Sequence, residues 1–210
     1  MHSFFNRSFL ITLFMFGCSI EQSFGQHVTL AFEGEVESFS NVLQGFFQVG
    51  QPLRGNYTYD LATPGTPLMN AGTKYDEAVT SLRARFANGY FVEEGGDDDL
   101  FTNDGPPTND VFSVFSTNPD AEPVIGLPLG AFILSLIDTS STVFTNEDLP
   151  SIAPDLASFD FRDGRLIFLD PGNGNKVVQF SITALRTVPE PTGLVLLSLA
   201  GGFFACWRKR

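Results

Sequence analysis

The residues able to do chemistry are spread unevenly along the chain. Cys18 lies in an apolar stretch near the start and Cys206 in another near the end, while His2 falls in the leader and His27 close to the expected mature terminus. The body between them has no thiol and no interior imidazole, so zinc fingers, thiol nucleophiles, His-based triads and disulfide staples are excluded. Gly-x-Ser-x-Gly is absent, Lys74 and Lys176 sit in no Ser-x-x-Lys pattern, and no phosphate-cradling glycine loop precedes a helix. No catalytic residue is assigned, and the expectation is a protein that is not an enzyme. Carboxylates are the remaining chemistry. Two of them flanking a glycosidic bond would hydrolyse glycans, but with 22 acids in the body no pair stands out. Two acidic loops, Glu93-Glu94-Gly95-Gly96-Asp97-Asp98-Asp99 and Asp170-Pro171-Gly172-Asn173-Gly174-Asn175, carry oxygen donors of the kind Ca²⁺ takes. Neither has the ligand order of an EF-hand, so a solvated loop and a plain turn are the expectations, no metal ligand is assigned, and calcium is the one cofactor left open. Tyr57 and Tyr59 alternate as strand residues do; inward packing is expected, with a sugar-binding face as the alternative. The sequon Asn56-Tyr57-Thr58 is read as strand sequence.

Two apolar ends enclose that body. The first has one base, Arg7, an apolar run from Phe9 to Cys18, then Ser23-Phe24-Gly25. This is the form of a secretory signal peptide over residues 1–25, cut between Gly25 and Gln26. The run is about half of the ~20 residues needed to span a bilayer. Met15-Phe16-Gly17-Cys18 also resembles a lipoprotein site that would place lipid on Cys18, although Phe16 is bulky for the position before the small residue. The other end, residues 187–210, reads Thr187-Val188-Pro189-Glu190-Pro191-Thr192, an uncharged stretch 193–207, then Arg208-Lys209-Arg210. The two prolines hold an extended strip that a processing enzyme could read at low entropic cost. The apolar stretch, a short helix by expectation, would enter the bilayer, and the three bases would stay on the cytoplasmic side and stop transfer.

Proline-glutamate-proline, apolar segment and basic end in that order resemble the PEP-CTERM sorting signal. The resemblance implies a bacterial protein recognised at Pro189, Glu190 and Pro191 by an exosortase, after export and transient inner-membrane anchoring, in a cell that makes exopolysaccharide. Thr192 stands where serine is common. More loosely, the body resembles the ectodomain frequent among such proteins in the stretch from Val49 to Asp60, in Gly72-Thr73-Lys74-Tyr75 and in Asp148-Leu149-Pro150. Delivery to the envelope surface or the extracellular matrix follows as the expected location, with exosortase, the export machinery and exopolysaccharide as partners.

The body itself, residues 26–186, holds 22 acids and eight bases, a net charge of −14. Such a surface repels nucleic acid. His27 to Glu37 alternates Val28, Leu30, Phe32 and Val36 with polar residues, the period of a half-buried strand, and helical spacing is not sustained anywhere. Further strands are expected around Tyr57–Tyr59, Val111–Ser116, Ala131–Ile137 and Val177–Leu185. Two tight hairpins are also expected: Asn88-Gly89 would set Phe86 opposite Phe91, and Asp163-Gly164 would set Phe161 opposite Leu166 and Phe159 opposite Phe168. Short strands joined by Gly/Pro-rich turns, with 23 phenylalanines to fill a core, predict one mainly β domain, an antiparallel sandwich or jelly roll. Its expected role is structural or adhesive, the alternatives being a calcium-dependent glycan-binding module and a carboxylate-based enzyme acting on polysaccharide.

Overall fold

Alternation dictates the first strand. In the computed structural model, which describes residues 27–69, 72–94, 98–105 and 109–189, β1 (His27–Phe39) buries Val28, Leu30, Phe32 and Val36 and exposes Glu33, Glu35 and Glu37. The expected leader with its cut between Gly25 and Gln26, the residues Glu190 and Pro191, the apolar segment and Arg208, Lys209 and Arg210 lie outside the described residues.

The same two-residue period recurs in β2 (Pro52–Asp60), β4 (Gly72–Phe86), β6 (Asp98–Asn103), β7 (Asp110–Thr117), β9 (Leu129–Asp138), β10 (Phe161–Phe168) and β11 (Lys176–Val188). Each of these strands pairs antiparallel with the next, and β11 returns to pair with β1. The result is a closed, eight-stranded, up-and-down barrel. Three short strands, β3 (Thr66–Leu68), β5 (Phe91–Glu94) and β8 (Asp120–Ala121), are appended to it on β4 and on one another. The mainly β expectation holds, but the strands do not divide into the two facing sheets of a sandwich. Closure removes both free edges of the sheet, which a sandwich would have to protect by other means.

Aromatic side chains fill the barrel from end to end. Tyr59 contacts Phe112 and Tyr57, Tyr57 contacts Phe32, and Phe132, Phe180, Phe86 and Phe47 continue the column, with ring centroids 5.5–6.3 Å apart. Each such pair adds about 0.5–1.5 kcal/mol beyond area burial. Tyr57 and Tyr59 are therefore interior residues, fully buried, and burial pushes both hydroxyls well up from their usual range. They form no sugar-binding face.

Both expected hairpins differ in the structure. Asn88-Gly89 does lie in a turn, but Phe86 donates its N–H to the Tyr90 carbonyl and Arg85, not Phe86, faces Phe91. The loop has three residues, with Gly89 at φ +91°, so the register slips by one. Phe86 and Tyr90 consequently point inward and Phe91 outward. Asp163-Gly164 is no turn at all: both residues run straight through β10 between β9 and β11. Glycine is needed at 164 because a Cβ there would sit 2.0 Å from the Phe180 ring. Arg162 and Arg165 thus lie three residues apart on one strand instead of facing each other, and Phe161 is exposed opposite Ile137.

One buried acid makes the fold pH-dependent. Asp98 opens β6 with its side chain almost wholly enclosed, and desolvation, reinforced by Glu94 and Asp99, raises its carboxyl to about 7. The folded chain therefore keeps a proton that the unfolded chain loses near pH 4, and stability falls as pH rises from about 4 to 7. Asp98→Asn does not titrate. It is expected to exceed the native protein in stability by about 2 kcal/mol at pH 8 and to match it at pH 4, as urea unfolding at the two pH values will show.

Candidate functional site

Among the described residues of the first loop, Glu93, Asp98 and Asp99 are drawn apart by the strands that carry them. Glu93 pairs with Arg83 at 2.5 Å, Asp99 pairs with Lys74 at 2.9 Å, and Asp98 turns into the wall. In the second loop, Lys176 occupies the centre that a cation would need: its Nζ lies 2.7 Å from the carbonyls of Asn173 and Gly174 and 3.3 Å from the Asp170 carboxylate. An ammonium group thus ties that turn together.

One end of the barrel is closed by the long connection between β9 and β10, residues 139–160. Its backbone is held from three sides. Tyr75 donates its hydroxyl to the Glu147 carbonyl at 2.8 Å, Thr102 donates to the same carbonyl, Thr73 donates to the Glu147 carboxylate, and Tyr59 donates to the Pro150 carbonyl. Tyr59, Thr73, Tyr75 and Pro150, which lie in the stretches 49–60, 72–75 and 148–150, are thus linked, three of the four bonds falling on Glu147 just before the last stretch. Asp110, fully buried, accepts N–H groups of Gly105 at 2.7 Å and of Val143 and Phe144 at 2.8 Å. Asp138 accepts from Ser140 and Thr142, and Asp160 from Thr139. These carboxylates are saturated by the chain that they fasten, which suits a structural knot.

The chemically open surface lies on the outer wall, where β11, β1, β2, β4 and β5 are neighbours. Register places Phe91, Arg85, Arg54 and Glu33 in one cross-strand row, and Glu93, Arg83, Asn56, Ala31 and Arg186 in the adjacent row. All of these but Glu93 line a shallow depression of about 320 Å³. On the inner side of this wall Gly55 makes room for the Phe32 ring: a Cβ there would meet the Arg83 carbonyl oxygen at 2.2 Å and that ring at 2.4 Å. Arg83 pairs with Glu93, and Arg186 with Glu33 at 3.3 Å. Arg54 and Arg85 stand directly opposite each other, and among the described residues neither guanidinium forms an ion pair or a hydrogen bond. Like charges in that position destabilise a sheet by a few tenths to about 1 kcal/mol. Nothing in the linear sequence singled out this groove. The one local signal was Arg83 and Arg85 at strand spacing, hence on one face; Arg54 joins them through the β2–β4 pairing, and Arg186 only when the barrel closes.

The fold and the groove define the class: an acidic, closed up-and-down β-barrel with a filled interior and a basic depression on its wall. No known protein family, characterised protein or solved structure matches the chain.

Proposed function

We propose that the chain is an exported, non-catalytic protein of the cell surface or exopolysaccharide matrix, delivered through a tail of the PEP-CTERM kind. The observation that carries this reading is the order Pro189-Glu190-Pro191, uncharged segment 193–207 and Arg208-Lys209-Arg210. The barrel supports it geometrically. β11 continues to Val188, paired with Thr29 at the end of the barrel where β1 begins, and Pro189 is exposed immediately after it. A processing enzyme would therefore meet Pro189, the first residue of the motif, at the rim of a folded domain, with the uncharged segment only a few residues further along the sequence.

The test is location and mass in a producing cell. Wild type is expected to leave the inner membrane shortened at the C-terminus, and the triple variant Pro189→Ala, Glu190→Ala, Pro191→Ala to remain there with its tail intact. If both persist as the same full-tail membrane species, the tail is an anchor only and the sorting reading is wrong.

A further inference from the structure

Four of the eight bases in the body, Arg54, Arg83, Arg85 and Arg186, converge on one groove of a domain that is otherwise acidic. Chance scatter would distribute them, and stability alone would not leave two of them face to face. We propose that this groove binds a carboxylate-bearing polysaccharide, with Arg54 and Arg85 clamping a carboxylate and Phe91 supplying the face on which a sugar ring stacks. The proposal rests on the reading of the chain as a matrix protein and names the chemistry of its partner there.

Three features favour this ligand. First, arginines at directly paired positions can turn two guanidinium forks to the planar, bidentate geometry of one carboxylate, and its charge would relieve their mutual repulsion. Second, Phe91 is 42% exposed and lies beside Arg85 in register, so an apolar face adjoins the anion clamp. Third, the acids at the groove's margins, Glu33 and Glu93, are acceptors for hydroxyl groups. The ligand must therefore carry hydroxyl donors beside its carboxylate. Uronic-acid glycans do. Duplex DNA, which has no free sugar hydroxyl, would bring only further phosphates to Glu33, Glu35 and Glu93. The row from Phe91 to Glu33 crosses three strand spacings, roughly 14 Å, the length of a short oligosaccharide.

The experiment uses the full chain in detergent with polygalacturonate as probe, and neutral dextran, polyglutamate and duplex DNA as comparators. Polygalacturonate is expected to bind and dextran, polyglutamate and DNA to bind at least about tenfold more weakly. The double variant Arg54→Gln, Arg85→Gln should lose about tenfold or more in affinity without a lower melting temperature, since it removes a like-charge pair. Arg162→Gln, Arg165→Gln removes the same charge from β10 and should stay within about twofold. Phe91→Ala should weaken binding several-fold. Equal binding to polyglutamate or DNA, equal loss in the Arg162/Arg165 variant, or no binding to polygalacturonate would overturn the proposal. Protein that reaches the matrix yet ignores polygalacturonate refutes the groove alone; protein that binds it but never leaves the inner membrane supports the groove and refutes the matrix reading.

Discussion

Gly164→Ala is expected to destabilise the barrel by about 3 kcal/mol, near the top of the range for overpacked cores. The added methyl would fall 2.0 Å from Cε2 and Cζ of Phe180. A ring at the edge of a core could swing aside, but Phe180 is fully buried, with Phe86 at 6.1 Å and Phe132 at 5.9 Å in the same column. Moving it means moving the column or the strand. Phe180→Leu in the same chain removes the obstacle, so Gly164→Ala should cost much less in that background than in the native one. Urea unfolding of the four proteins in the double-mutant cycle gives the coupling, expected at 1 kcal/mol or roughly twice that. Additive effects would mean that the ring is not pressed against the Gly164 backbone.

The same residue shows where the sequence was legible and where it was not. The alternation in His27–Glu37 is readable because burying one face demands it, and the structure shows the expected faces throughout β1. Asp163-Gly164 is unreadable locally. A glycine that permits a turn and one that makes room for a ring look alike until the ring's position is known, and Phe180 is sixteen residues away in sequence. At Asn88-Gly89 the turn was legible but its length was not, and one extra loop residue reversed which aromatic faces inward. Closure was hidden for a different reason. Strands of a sandwich and of a barrel carry the same pattern, and what separates them here is the pairing of Thr29 to Phe39 with Val178 to Val188, the two ends of the domain. The arginine groove inherits that difficulty in part: Arg54 reaches Arg85 through the β2–β4 pairing, but Arg186 joins the groove only through closure.

Asp110→Ala is expected to release the connection over residues 139–160 and to cost about 3 kcal/mol, since it strands three backbone donors that now share one carboxylate. The loss should be local at first. Hydrogen exchange at Val143 and Phe144 is expected to accelerate strongly, and protease to cut within 139–160, while amides of Phe180 and Phe32 in the wall remain protected up to global unfolding. The neighbouring knots add a dependence on acid. Hydrogen bonds from the Ser140 hydroxyl and the Thr142 backbone hold the Asp138 carboxyl down at about 2, and the Thr139 hydroxyl and N–H lower that of Asp160. A carboxylate lowered in the folded state stabilises fully above its unfolded pKa, near 4, and the contribution is lost as pH falls toward the folded value. Native protein should thus lose protection at Thr139, Ser140 and Thr142 between about pH 4 and 2, with no change from these groups between pH 5 and 8. Asp138→Asn should flatten that acid limb. If exchange in the connection is indifferent to pH in the native protein and unaffected by Asp110→Ala, the segment is held by its apolar contacts, Leu149 and Phe159 foremost, and the carboxylates only decorate it.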